Sequence, residues 1–253
     1  MLLPVPLVVV LWAGATLVLD QWASLPQQYA LGGLTWLLLL ALLRREDRVT
    51  RVQVGVVVVY ASIVEYVFAG WLGVYVYRLE NVPSFVPPGH GLVYLAALAF
   101  GRTAWAHRQQ WLVPAALVAC GGWALWGLFL SPQTDVLGAF WFVCLLAFSR
   151  LTHNGTVYAG AFLVVSYLEI LGTSLGTWTW QPYDPTGLVA IGNPPSGIAG
   201  GYAWFDFAAL TLTPRLLAWW EARYPASSGT GGVRPPALAR MATAPSTSTP
   251  PTS

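Results

Sequence analysis

Residues 62–77, SIVEYVFAGWLGVYVY, and residues 166–180, SYLEILGTSLGTWTW, carry the same pattern twice in this chain. Each copy has a glutamate, Glu65 or Glu169, in an apolar run. Further along, each copy has a glycine, and the second and fourth residues after this glycine are aromatic. Downstream, each copy continues with a Pro-Pro pair, an Ala-Ala-Leu triplet and an arginine. We therefore expect two copies of one unit, and sites in duplicated membrane folds tend to lie between the repeats.

The composition indicates a membrane protein. Of 253 residues, 56% are hydrophobic and only 9% are charged, and 14 are Trp. Ordinary soluble domains carry about 25% charged residues, so we predict a polytopic membrane protein with little soluble mass. The net charge of +2, without a basic stripe, argues against a nucleic-acid partner.

The apolar runs predict an all-α bundle of about eight transmembrane helices, since a span needs about 20 residues. We expect a parallel duplication, in which residues 1–110 form the first four-helix repeat and 111–225 the second. Residues 226–253 are rich in Ser, Thr, Pro and Gly, which is typical of a disordered tail. The eight candidate runs are 3–20, 29–43, 52–77, 89–106, 111–131, 136–149, 156–176 and 196–220.

The arginines predict the orientation of these spans, because positive charge favours the cytoplasmic side. Every basic residue is Arg. In the eight-span interpretation all of them except Arg78 fall on one side, which places both termini and the tail in the cytoplasm of a bacterial cell, around an inner (plasma) membrane. The arginines on that side are Arg44, Arg45, Arg48, Arg51, Arg102, Arg108, Arg150, Arg215, Arg223, Arg234 and Arg240.

Three acids inside the predicted spans are the candidate catalytic residues: Glu65, Glu169 and Asp206. An ionisable side chain in a membrane is costly and indicates a functional site. Aligning the Ala-Ala-Leu triplets pairs Asp206 with Tyr94, so the duplication is broken at one polar position. A protonated acid in an apolar pocket can donate a proton while a second carboxylate stays ionised. Glu169 or Asp206 is then the donor and Glu65 the ionised partner.

The aromatic residues and a few polar ones beside the acids are the candidate substrate-binding residues. They offer aromatic faces to an apolar ligand or to a developing cation. A structural interpretation stays open, because aromatic residues also form interfacial belts and buried acids also fix helix packing. We expect no metal and no cofactor, since no ligand spacing of a known metal motif is present. These candidates are Tyr75, Tyr77, Tyr94, Trp178, Trp180, His90 and Asn193.

The acid, the Gly-x-aromatic-x-aromatic segment and the Pro-containing loop together resemble carotenoid-modifying integral membrane enzymes. Residues 65–83 are similar to the carotenoid hydratases of the bacterioruberin pathway. Residues 169–180 resemble both these hydratases and the membrane lycopene cyclases of the heterodimeric or fungal type. The cyclases carry paired glutamates after the loop proline, whereas here no acid follows Pro194 before Asp206.

The resemblance implies hydration, cyclisation or isomerisation of a lipophilic isoprenoid through a carbocation, which is lyase or isomerase chemistry of carotenoid or terpene biosynthesis. Protonation of an alkene needs a buried acid and a pocket that excludes water. Two other classes stay open on the sequence: a proton-coupled transporter with paired glutamates, and a non-catalytic membrane scaffold. The Gly and Pro breaks cluster at the outer ends of the spans and not near their middle, which favours an enzyme over a transporter. One chain that carries both halves need not dimerise to build its site.

Overall fold

Most of the protein is helical. The computed structural model describes residues 4–151 and 155–224, and 73% of this part is helical. The predicted tail at 226–253 lies outside the described residues. The elements of the described part, in chain order, are α1 (Val5–Asp20), α2 (Leu25–Leu43), α3 (Arg48–Glu65) with a π-helical continuation (Tyr66–Trp71), β1 (Tyr75–Tyr77), α4 (Val86–Gly101), α5 (Ala104–Arg108), α6 (Leu112–Phe129), α7 (Val136–Leu151), α8 (Gly155–Ser174), β2 (Trp178–Trp180) and α9 (Ala199–Arg223).

Four helices are long and apolar enough to cross a membrane. They are α2, α3 with its π-helical continuation, α6 and α8. Helices α1 and α7 are apolar but shorter. The sequence-based prediction of a helical membrane protein is confirmed at this level, whereas the count of eight spans and the duplicated unit remain predictions.

Polar residues define the starts of the helices that leave the connecting loops. The Asp47 carboxylate accepts a 2.7 Å hydrogen bond from the Thr50 backbone N–H at the start of α3. This bond lowers the pKa of Asp47 below its usual value. Before α2, the Gln27 side chain accepts a 2.7 Å bond from the Ser24 backbone N–H. Such caps satisfy N–H groups that have no partner within the helix.

The third predicted span is shorter than the sequence suggested, because its last residues form a strand. The helix ends in a π-helical segment, and Gly73 then adopts a φ of +63° that favours glycine. Gly176 repeats this turn after α8 with a φ of +69°. The two strands that follow pair antiparallel, with Tyr75 opposite Trp180 and Tyr77 opposite Trp178.

Two helices form the centre of the bundle. Helix α4 packs against α1, α2, α3 and α8, and α8 packs also against α1, α6, α7 and α9. Helix α4 is buried along most of its length. The outer helices expose large apolar side chains such as Leu37 and Val118, at 64% and 75%. A hydrocarbon environment satisfies such a surface, whereas water does not.

Two arginines near helix ends contact residues of neighbouring segments of the chain. Arg102, after α4, donates hydrogen bonds to Glu46 at 3.2 Å and to Thr50 at 2.9 Å. Arg48, at the start of α3, lies 3.4 Å from Glu221 near the end of α9. The connection between α2 and α3 therefore lies at the same end of the bundle as the last turns of α4 and α9.

Candidate functional site

Glu65 ends α3 as a buried acceptor of three side-chain contacts. Its Oε2 atom accepts hydrogen bonds of 2.7 Å from the hydroxyls of Tyr75 and of Tyr77. Its Oε1 atom lies 2.8 Å from Nε2 of His90. The side chain is buried, and both of its oxygens are occupied. The π-helical segment begins at the next residue, and such segments are frequent at functional sites.

Glu169 on α8 is held in a related way, but only through one oxygen. Its Oε2 atom accepts hydrogen bonds from the indole N–H groups of Trp178, at 3.0 Å, and Trp180, at 3.1 Å. Among the described residues, no hydrogen-bond partner reaches its Oε1 atom. Glu169 is buried like Glu65, yet one of its oxygens has no hydrogen-bond partner among the described residues.

The backbone geometry explains why the sequence needs both the glycine and the alternating aromatics. The glycine turns the chain back toward the helix that it has just left. In a strand, residues two apart lie on the same face, so both aromatic side chains of each strand reach the same acid. Close packing reinforces the turn: a Cβ added at Gly172 would overlap the ring of Trp178.

The paired strands also join the two acid sites through their aromatic rings. The centroids of Tyr75 and Trp180 lie 4.5 Å apart, and those of Tyr77 and Trp178 lie 6.1 Å apart. Cross-strand aromatic pairs of this kind stabilise a short hairpin-like pairing. The two glutamates therefore share one aromatic layer.

Both acids line a single cavity of about 430 Å³. Its wall is mostly apolar and comes from α1, α2, α3, α4, α7, α8 and α9 as well as from both strands. Seven of the ten predicted site residues lie in this wall, and the structure thus brings most of the candidate site together. These seven are Glu65, Glu169, Tyr75, Tyr77, His90, Trp178 and Trp180.

Asp206, Tyr94 and Asn193 do not line this cavity. Asp206 is buried on α9, and its Oδ2 atom has no hydrogen-bond partner among the described residues. The same holds for the Tyr94 hydroxyl, which lies within electrostatic reach of Asp206. Asn193 accepts a 3.2 Å hydrogen bond from the backbone N–H of Trp180 and so supports β2. The structure thus separates these three residues from the two glutamates.

Sequence reasoning missed an aromatic face of α9 that completes the cavity. Ile198, Gly201, Tyr202 and Phe205 all line the wall, at the spacing of one helical face. The Tyr202 ring lies over the His90 ring at a centroid distance of 5.2 Å and an angle of 30°. A helical periodicity test on residues 196–220 could have found this face.

Sequence reasoning also missed a buried acid that anchors the loop before α9. Asp135 accepts hydrogen bonds from the backbone N–H groups of Gly138, Gly192 and Ser196 at 2.7–2.9 Å, and from the Ser196 hydroxyl at 2.7 Å. It ties the loop before α9 to the start of α7. Its position at the edge of an apolar run was the available signal.

An apolar groove of about 880 Å³ runs along the outside of the bundle between α3 and α9. Two residues, Tyr60 and Trp204, line both this groove and the cavity. The groove and the cavity are therefore neighbours on the two sides of these side chains.

No known protein family, no curated protein and no solved structure matches this chain. The resemblance to carotenoid-modifying enzymes therefore rests on the motifs alone. Within residues 4–151 and 155–224, no group of three or more His, Cys, Asp and Glu side chains is arranged to hold a metal ion. The functional groups of the site are two carboxyl groups, one imidazole and several aromatic rings in the cavity wall.

Proposed function

We propose that this protein is an integral membrane enzyme that protonates a double bond of a lipophilic isoprenoid, such as one end of a carotenoid. The observation that carries the proposal is the apolar cavity in which one acid keeps an unpartnered oxygen and a second acid is fully engaged. Such an environment excludes water and strengthens electrostatic interactions within it.

Glu169 is the proton donor in this reaction, and Glu65 stabilises the cation. The proton on Glu169 passes to one alkene carbon, the alkene π electrons form the new C–H bond, and a carbocation remains on the other carbon. Glu65, held as a carboxylate acceptor by Tyr75, Tyr77 and His90, stabilises this cation together with the aromatic faces. Addition of water and loss of one proton to Glu169 complete a hydration. Attack by an internal alkene followed by loss of a proton to Glu169 gives a ring, and direct loss of a neighbouring proton to Glu169 gives an isomer.

The size of the cavity limits how much of a substrate it encloses. At about 30 Å³ for each water-sized group, a volume of about 430 Å³ accommodates about 14 such groups. A carotenoid of forty carbons exceeds this, so only one end group enters. The rest of the chain lies in the groove between α3 and α9, which continues past Tyr60 and Trp204 and faces the bilayer. A substrate dissolved in the membrane therefore reaches the acids without crossing water.

We further propose that the chain is a parallel duplication with eight spans and two cytoplasmic termini. Three matched features support this architecture: the positive-φ glycines Gly73 and Gly176, the strands that pair with each other, and the contact of each glutamate with the two aromatic residues of its own strand. The asymmetry within the pair, Tyr on one side and Trp on the other, is what assigns different roles to the acids.

The test is expression in a lycopene-producing bacterial host, followed by chromatography and mass spectrometry of the pigments. We expect the wild type to convert part of the pigment to a hydrated or isomeric product. Incubation of membranes with preformed lycopene in deuterated water should place one deuterium on the protonated carbon. Glu169→Gln should abolish the product, because an amide does not supply the proton. Glu65→Gln should lower the product yield by roughly 100-fold, in the range of electrostatic stabilisation.

Glu221→Gln is the matched control, because Glu221 is an exposed glutamate at the end of α9. This variant should retain the wild-type pigment profile. A wild-type pigment profile identical to that of the empty host, in hosts that supply lycopene and in hosts that supply shorter isoprenoids, would contradict the proposed enzyme. An acid-dependent proton flux in vesicles without any product would instead favour a proton-coupled carrier.

A further inference from the structure

A second polar cluster lies at the outer end of the cavity, on the first half of the chain. Thr16 on α1 lines the cavity, and Asp20 follows it by one helical turn on the same face. Asp20 is completely buried, and Gln28 beside it is 1% exposed. Neither residue belongs to the glutamate site.

Hydrogen bonds join this cluster to the loop after β1. Gln28 donates a 2.9 Å bond to Asp20 Oδ1, and Asn81 donates a 2.8 Å bond to the Gln28 side-chain oxygen. Arg78 donates to the carbonyl of Ala23 at 2.6 Å, and its guanidinium lies 3.7 Å from Asp20 Oδ1. The cluster is therefore a connected network and not a set of separate side chains.

Four polar atoms of Thr16 and of this network are buried and have no hydrogen-bond partner among the described residues. They are Thr16 Oγ1, Asp20 Oδ2, Arg78 Nε and Asn81 Oδ1. An unpaired buried polar group is costly, and a carboxylate oxygen more so than a neutral group. Because the set contains both donors and acceptors, a single O–H group placed among them satisfies several at once.

Asp135 is a buried acid whose two oxygens both have hydrogen-bond partners. It ties the loop before α9 to the bundle, and four donors satisfy its two oxygens. Asp20 Oδ2, by contrast, has no partner among the described residues, and Asp20 lies one helical turn from Thr16 in the cavity wall. The difference indicates a place for a ligand group at Asp20 and a purely structural role for Asp135.

We propose that Thr16, Asp20 and Arg78 form a binding site for a hydroxyl group at the end of the apolar ligand. The ligand hydroxyl donates to Asp20 Oδ2 and accepts from Arg78 Nε or the Thr16 hydroxyl, while its hydrocarbon chain extends among the aromatic residues toward the glutamates. Water takes this place when the hydroxyl is absent. The inference rests on the proposed function, since it assumes an isoprenoid in the cavity, and it narrows the ligand to an isoprenoid alcohol.

The experiment compares farnesol with β-farnesene, which has a fifteen-carbon chain like farnesol but no hydroxyl. Binding to the purified full-length protein in detergent micelles is followed by tryptophan fluorescence, because several Trp side chains line the cavity. We expect wild type to bind farnesol at least about tenfold more tightly than β-farnesene, as for one hydrogen bond to a charged group. Thr16→Val should reduce this preference about threefold, and Asp20→Asn should remove most of it.

Thr213→Val is the matched control, because Thr213 is also buried with an unpartnered hydroxyl among the described residues but does not line the cavity. It should leave the preference unchanged. Equal affinities of the wild type for the two probes would overturn the hydroxyl site and leave the proposed function standing, whereas binding of neither probe would overturn both. An equal loss of preference in Thr213→Val and Thr16→Val would also overturn the site. The comparison on wild type needs no variant to fold.

Discussion

The two glutamates differ in the kind of donor that holds them. Phenol hydroxyls of Tyr75 and Tyr77 reach Glu65, and a phenol can donate or accept a hydrogen bond. Indole N–H groups of Trp178 and Trp180 reach Glu169, and an indole only donates. Neither Trp can take a proton from Glu169, because an indole N–H offers no acceptor atom. The Tyr-to-Trp difference between the copies therefore sets the proposed proton donor.

Removing one phenol hydroxyl from Glu65 should destabilise the protein. Tyr75→Phe deletes a buried hydrogen bond to a carboxylate, which typically contributes about 1–3 kcal/mol. We expect a matching loss in the free energy of unfolding in detergent. A double-mutant cycle with Glu65→Gln should show coupling between the two side chains, because they are in direct contact.

Tyr66→Phe serves as the control for this prediction. Tyr66 directly follows Glu65 in sequence, but it is 59% exposed, and no hydrogen bond joins it to the acid. Its replacement should change stability by less than about 0.5 kcal/mol, as is usual at exposed positions. Equal effects of the two substitutions would show that the hydroxyl of Tyr75 does not support Glu65.

At the scale of elements, the helix–glycine–strand unit is what delivers aromatic side chains to a membrane-buried acid. The helix ends, a glycine with positive φ reverses the chain, and a three-residue strand follows. Strand β1 finds its partner in β2, from the other half of the chain. Each strand thus satisfies part of its backbone through the other, which matters where water is scarce.

Gly172→Ala tests the close packing of this unit. The added methyl group would overlap the ring of Trp178 and push it away from Glu169. Overpacking of this kind costs about 1–3 kcal/mol. We expect lower stability and a loss of pigment conversion, measured by thermal unfolding and by the host assay described above.

Gly122→Ala is the matched control, since Gly122 is also helical and a methyl group there meets nothing within 4 Å. It should be neutral or slightly stabilising, because alanine favours the helix over glycine. A wild-type product yield in Gly172→Ala would show that the position of Trp178 does not matter for the reaction.

At the scale of the whole molecule, the two ends of the bundle differ in charge. One end joins Arg48 to Glu221 and Arg102 to Glu46, and the network of Arg78 and Asp20 belongs to the loops near the strands. The two pairs at the first end, Arg48–Glu221 and Arg102–Glu46, are more exposed, and such pairs contribute little to stability. In the proposed orientation, the arginines at this end lie on the cytoplasmic side.

Single cysteines test this arrangement in a variant that lacks Cys120 and Cys144. Cysteine replacing Arg48 or Glu221 should react with a membrane-impermeant maleimide only in inverted vesicles. Cysteine replacing Leu188, which is 84% exposed in the loop after β2, should react only in intact cells or right-side-out vesicles. Labelling of all three positions from the same side would exclude the odd number of spans that the proposal places between Leu188 and each of the other two positions.

The sequence by itself determined the helical membrane character and the identity of the two central acids. Both follow from local properties: long apolar runs form helices in a bilayer, and an acid within such a run is too costly to be incidental. The aromatic pairs could be predicted for the same reason, since they follow each acid at short range in the chain.

The tertiary structure alone decided which of these residues face one cavity. The pairing of β1 with β2, the approach of His90 to Glu65 and the aromatic face of α9 depend on contacts between distant segments, which composition and spacing do not encode. The same applies to Asp206, which matched the other acids in the sequence but lies outside the cavity wall. Depth in a span is a property of one helix, whereas the direction in which a side chain points depends on how that helix packs against its neighbours.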